Sequence, residues 1–220
     1  MAIQSVKKYK AVLLDLDGTL TESAPGIINS LIYALEKFDI EIPADRKELE
    51  CFIGPPLTES FAEYCGFSEE EIEKGMAYYR EYYAEKGIFD NALYPGIREM
   101  LDCLKAKNIE MMVATSKPEP FARQILSHFE IDTYFSCISG STFEEKKDNK
   151  PLVIAHALEQ CKKEKSKILM VGDRHFDVDG AHKNGIDCAG VIYGYGTKEE
   201  LQKAGAEYLL ATPDEIFKLL

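Results

Sequence analysis

Lys10-Ala-Val-Leu-Leu-Asp-Leu-Asp-Gly-Thr-Leu20 is the stretch whose reading decides the fold. The run Ala11–Leu14 is apolar without alternation, as expected of a strand buried on both faces of a parallel sheet. It ends in two aspartates one residue apart, followed by Gly18 and Thr19. Paired carboxylates at the end of a buried strand repel each other and resist desolvation, so something must offset both effects. A divalent cation held by hard oxygen ligands is the simplest compensation, and Mg²⁺ suits such ligands. In open α/β sheets the ligand crevice lies outside the carboxyl ends of the strands, where Asp15 and Asp17 would stand. The competing reading is a pair of solvated turn residues ahead of a glycine, since short motifs also match by accident.

Beyond Leu20 the periodicity changes. Ile27, Ile28, Leu31, Ile32, Leu35 and Phe38 recur at helical spacing behind Pro25. Arg46–Phe52 and Leu57–Tyr64 read as two further helices separated by Gly54-Pro55-Pro56. Ser68 and Glu71 form a capping-box signature for a helix that runs to Gly87. Tyr78, Tyr79, Tyr82 and Tyr83 are expected to cover neighbouring helices rather than line a pocket. After Tyr94-Pro95-Gly96, strands and helices alternate. Strands are expected at Ile109–Ala114, Tyr134–Ile138, Ile168–Val171, Cys188–Ile192 and Tyr208–Leu210. The predicted fold class is therefore α/β: a doubly wound parallel sheet from residues 1–20 and 91–220, with an all-helical domain, residues 21–90, inserted after strand one.

The 220 residues are 45% hydrophobic and carry a net charge of −12, which argues against a nucleic-acid polymer or an anionic membrane surface as partner. No apolar run reaches membrane-spanning length, and Met1–Lys10 does not read as a signal peptide. Six scattered cysteines without Cys-x-x-Cys spacing are expected to be reduced and mostly packed, in a cytoplasmic protein. A monomer or weak homodimer is expected.

Each predicted strand end carries useful chemistry. Asp15 and Asp17 follow the first, Thr115-Ser116-Lys117 the second, and Gly172-Asp173 the fourth, with Asp177 four residues beyond. Lys150 precedes a Pro-initiated helix after the third. Together they would supply carboxylates for a metal, a hydroxyl and N–H groups for an anion, and a lysine for charge balance.

Asp15-Leu-Asp-Gly-Thr-Leu20, Thr115, Lys150 and Gly172-Asp-Arg-His-Phe-Asp177 resemble the four motifs of the haloacid dehalogenase superfamily, in its phosphoglycolate phosphatase-like branch. The resemblance implies a Rossmann-like core with a helical cap at residues 21–90. It implies Asp15 as nucleophile, Asp17 as acid and base, and Mg²⁺ held by Asp15, the backbone carbonyl of Asp17 and Asp173. Thr115, Lys150 and the N–H groups of Leu16, Asp17 and Ser116 would bind phosphoryl oxygens, with Asp177 in support. The second aspartate favours phosphoryl transfer over dehalogenation, because a halide needs no proton on leaving. The implied substrate is a small phosphorylated metabolite: phosphoglycolate, a nucleoside monophosphate or a sugar phosphate.

Glu22, Ser116 and Arg174 depart from the residues common in such relatives, and Glu22 and Arg174 are assigned supporting roles. Lys146 and Lys147 compete with Lys150 for the phosphate-binding role. His128, His156, His175 and His182 lack metal-ligand spacing, and His175 is expected at the surface. Gly54-Pro55-Pro56 reads either as a rigid connection or as a loop that meets the leaving group. The rival functions are a phosphomutase and a non-catalytic binding protein on the same fold.

Overall fold

The computed structural model describes residues 9–55, 57–142 and 150–220. In chain order it forms β1 (Ala11–Leu14), β2 (Thr21–Glu22), α1 (Ala24–Glu36), α2 (Leu57–Cys65), α3 (Glu69–Glu85), β3 (Ala92–Leu93), α4 (Ile97–Ala106), β4 (Glu110–Pro118), α5 (Glu119–His128) and β5 (Cys137–Ser141). There follow α6 (Lys150–Gln160), β6 (Ile168–Gly172), α7 (His175–Lys183), β7 (Asp187–Val191), α8 (Lys198–Ala204) and β8 (Tyr208–Leu210).

Six strands make one parallel sheet in the order β5-β4-β1-β6-β7-β8. The chain winds outward from β1 through β4 to β5, then crosses back to β6 and winds the other way. The direction therefore reverses beside β1, and crevices open at the carboxyl ends of strands at such switch points.

Alternation along the strands divides the core into two layers. Val12, Leu14, Val113 and Val171 face one way, onto Leu101 and Leu104 of α4 and Ile125 of α5. Leu13, Met112 and Met170 face the other, onto Ile154 of α6 and Val178 of α7. β1 can be apolar throughout because helices cover both of its faces.

α3 begins at the expected capping box: Ser68 Oγ accepts from Glu71 N, and Glu71 Oε2 accepts from Ser68 N. Three expectations need correcting. Arg46–Phe52 is a 3-10 helix. Asp132–Tyr134 is a 3-10 turn, so β5 starts only at Cys137. The antiparallel ribbon of β2 and β3, pairing Thr21 with Leu93, closes the base of the helical segment where the sequence shows no strand pattern. Strands of two residues are too short to display a period.

No described helix is long and apolar enough to cross a membrane. All six cysteines are free; Cys188 is buried, whereas Cys51 and Cys103 are exposed rather than packed.

Candidate active site

Register brings the strand ends together. Leu14 lies opposite Val113 of β4 and Val171 of β6, so the residues just beyond emerge side by side at one edge. The Asp15 N–H donates to the Val171 carbonyl at 2.9 Å, holding the first aspartate against the β6 terminus. The chain then turns tightly, with the Leu16 carbonyl accepting from the N–H groups of Leu20 and Thr21. Gly18 adopts φ +77°, and a Cβ there would sit 2.2 Å from Asp173 Oδ2. Both the left-handed backbone and the close approach therefore demand glycine.

Asp15, Asp173 and Asp177 converge, each buried, with ligand-competent oxygens all within 4.8 Å of one another. Asp173 Oδ2 accepts from Tyr195 N at 2.8 Å, and its Oδ1 is buried without a hydrogen-bond partner. Asp177, in the first turn of α7, accepts from Arg174 N at 3.0 Å through Oδ2. Lys150 Nζ stands 2.8 Å from Asp15 Oδ1 and 2.8 Å from Asp177 Oδ1, and donates to the Ala114 carbonyl at 3.2 Å. Thr115, next in β4, is buried, and its Oγ1 accepts from Lys117 N.

Burial pushes the Asp15 carboxyl up to about 6, against the pull of Lys150 and with a further push from Asp177. Asp173 is raised well above the carboxylate range by burial, then by the charges of Asp177 and Asp15. Burial disfavours the Lys150 ammonium, but Asp15 and Asp177 outweigh it and hold the group above its ordinary range. Three carboxylates facing one ammonium leave excess negative charge and an unpartnered buried oxygen, a donor set that fits a divalent cation.

The Asp15 shift has a measurable sign. Between its ordinary value of 3.8 and about 6, the folded state holds this proton more tightly than the unfolded chain does. Stability then falls as pH rises through that window. In EDTA, wild-type stability measured against Asp15→Asn is expected to decline from about pH 4 to about pH 6. A relative rise over this range would contradict the assigned environment.

Above these groups lies a cavity of about 210 Å³, walled by Phe52, Tyr79, Tyr83, Phe121 and Phe176. Tyr78 and Tyr82 pack on Phe38 and Tyr33, as expected of helix-covering residues. Tyr79 and Tyr83 are buried in the core as well, but, one helical turn apart, they stack at 5.5 Å and also line the cavity. Gly54 and Pro55 line it as well, whereas Pro56 lies outside the described residues.

The structure places Asp15, Asp17, Thr115, Ser116, Lys150, Asp173, Arg174 and Asp177 around this space. Leu16 is buried beneath it. Glu22 is a correction: it is exposed on β2 and does not line the cavity. His175 is partly exposed, with Nδ1 2.9 Å from Glu200 Oε1. Lys146 and Lys147 lie outside the described residues.

Asp177 stands among the carboxylates and meets Lys150 at 2.8 Å, because α7 starts two residues after β6 and its first turn faces Asp15. One role was missed. Lys117 Nζ is 2.6 Å from Asp17 Oδ2 and 4.9 Å above the Tyr83 ring. It fixes one Asp17 oxygen and leaves Oδ1 buried without a hydrogen-bond partner. The signal was a lysine on the Thr115 strand end, an ordinary residue until its partners are known.

Residues 12–191 match the family model described as haloacid dehalogenase-like hydrolase. A 5'-nucleotidase of Pseudomonas aeruginosa is 40% identical over 195 residues, 89% of this chain and 88% of that protein. Tyrosine-protein kinase PtkA of Mycobacterium tuberculosis is 38% identical over 211 residues, 95% of this chain and 72% of that one. A crystal structure described as a predicted phosphatase from Clostridium acetobutylicum superposes with a TM-score of 0.90 at 46% identity, covering 96% of this chain and 97% of that one.

Proposed function

The chain belongs to the haloacid dehalogenase-like hydrolases and is a phosphoric monoester hydrolase, and from that premise we propose that it uses Mg²⁺ and Asp15 as nucleophile on a small phosphorylated metabolite. The observation that carries this reading is the convergence of Asp15, Asp173 and Asp177 with Lys150 beneath one cavity. Residues 1–20 and 91–220 serve as the catalytic core, and residues 21–90 as a cap over it.

Thr115, Ser116, Lys150 and the N–H groups of Leu16 and Asp17 hold the phosphoryl oxygens where charge redistributes. Asp15 attacks phosphorus; the new O–P bond forms as the ester P–O bond breaks, and Asp17 gives its proton to the leaving oxygen. Asp17 then takes a proton from water, whose oxygen attacks the phosphorus and returns Asp15 as a free carboxylate. Lys117 steadies Asp17 through Oδ2, so that Oδ1 is the oxygen that handles the proton. Asp15, Asp173 and the Asp17 backbone carbonyl would hold Mg²⁺, with Asp177 beside them; when bound it neutralises phosphate and carboxylate charge. The cavity suits phosphoglycolate, a nucleoside monophosphate or a sugar phosphate.

The test is a hydrolysis screen over a few dozen phosphorylated metabolites, with and without EDTA. Turnover of at least one that EDTA abolishes is the expected result. One equivalent of released alcohol, with the phosphoryl group kept on the protein and no continued hydrolysis, would point to a phosphomutase instead. Saturating Mg²⁺, at about 100 times its Kd, should stabilise the fold by about 2.7 kcal/mol. Asp173→Asn should remove that gain, as read by thermal unfolding with and without the ion.

A further inference from the structure

Arg174 is not absorbed by this chemistry. It leaves the β6 terminus beside Asp173 and reaches across the cavity mouth to the helical segment. Its Nη1 donates to the Ile53 carbonyl at 2.5 Å, at the end of the 3-10 helix Arg46–Phe52. Its Nε meets Glu200 Oε1 at 2.9 Å. That same oxygen accepts from His175 N and meets His175 Nδ1, each at 2.9 Å. Glu200 is itself placed by the start of α8, where its N–H donates to Thr197 Oγ1.

We propose that Arg174 is a latch, aimed by Glu200, that holds the segment Phe52–Pro55 closed over the active-site cavity. It is a positioning residue: it acts through the loop and not on the reacting atoms. Three features support this. Phe52, Ile53, Gly54 and Pro55 all line the cavity, so fixing them fixes one of its walls. The Ile53 carbonyl terminates a 3-10 helix, where carbonyls lack intrahelical partners, and a guanidinium supplies a charge-assisted donor. Gly54, at φ +107°, is shaped around the same side chain, since a Cβ there would stand 2.4 Å from Arg174 Nη1. The planar guanidinium presents separate nitrogens in a fixed fork, so Nε holds the Glu200 carboxylate while Nη1 holds the Ile53 carbonyl.

The latch goes beyond the assigned reaction, and its test reads the protein without substrate. Amide hydrogen exchange at Ile53 and Gly54 is measured for wild type, Arg174→Ala and Glu200→Gln. Exchange about tenfold faster in Arg174→Ala is expected, the scale set by losing one charge-assisted hydrogen bond, with a smaller rise in Glu200→Gln. With a turned-over phosphomonoester, KM should rise more than kcat falls in both variants. A direct substrate contact by Arg174 would instead leave loop exchange unchanged without substrate and make Glu200→Gln silent; that pattern overturns the latch. Gly54→Ala gives a second approach, because its effect on exchange should shrink when combined with Arg174→Ala. If no phosphomonoester is turned over at all, the exchange result still decides the latch on its own.

Discussion

Asp15→Asn is expected to lower turnover of an aryl phosphate in Mg²⁺ by on the order of 10⁴-fold or more while the protein stays folded. Loss of this magnitude follows if the carboxylate forms the covalent bond to phosphorus, because an amide oxygen is a poor nucleophile. Folding should survive because Asp15 is a liability to the fold: burial pushes its carboxyl up to about 6. An amide of the same shape removes one of three converging negative charges and can still accept from Lys150. Initial-rate assays on protein checked by circular dichroism decide the matter. Activity within tenfold of wild type would exclude Asp15 as the nucleophile.

Lys150→Met should have the largest effect on stability. The ammonium is almost wholly buried and meets two carboxylates at 2.8 Å. Removing one partner of a buried ion pair costs about 3–5 kcal/mol, because the remaining charge is left without compensation. Here two carboxylates are stranded, and the loss should appear in urea unfolding at neutral pH in EDTA. Adding Mg²⁺ should recover part of it, since the ion offers the same carboxylates another cation. Lys74 is the control: its pair with Glu70 spans 2.7 Å but is largely exposed and screened by solvent, and Lys74→Met should leave the urea midpoint nearly unchanged. Equal losses in both variants would mean that Lys150 is not the keystone of a buried charge cluster.

Much of this molecule was legible in the chain itself. The apolar run Ala11–Leu14 announced a strand covered on both faces, and it is the central strand of the sheet. Strong periods and caps located the long helices, as at Ser68 and Glu71, because these signals depend on residues three or four apart. The strand-end residues were readable for a similar reason. A parallel sheet places every carboxyl end at one edge, so the residues just beyond the strands are the candidates.

Hidden from any reading of the chain was the pairing between side chains that only the folded structure brings close. Lys117 reaches Asp17, and Arg174 reaches Ile53 and Glu200, across gaps in sequence that no local pattern records. How closely Asp177 approaches the other carboxylates depends on α7 beginning only two residues after β6, a boundary too fine for periodicity to set. Tyr79 and Tyr83 turn toward the cavity while Tyr78 and Tyr82 turn away, a matter of helix rotation against its neighbours. Local chemistry thus determined the elements and the candidate residues. Rotation, register and charge pairing are properties of the packed whole, and they decided which candidates meet.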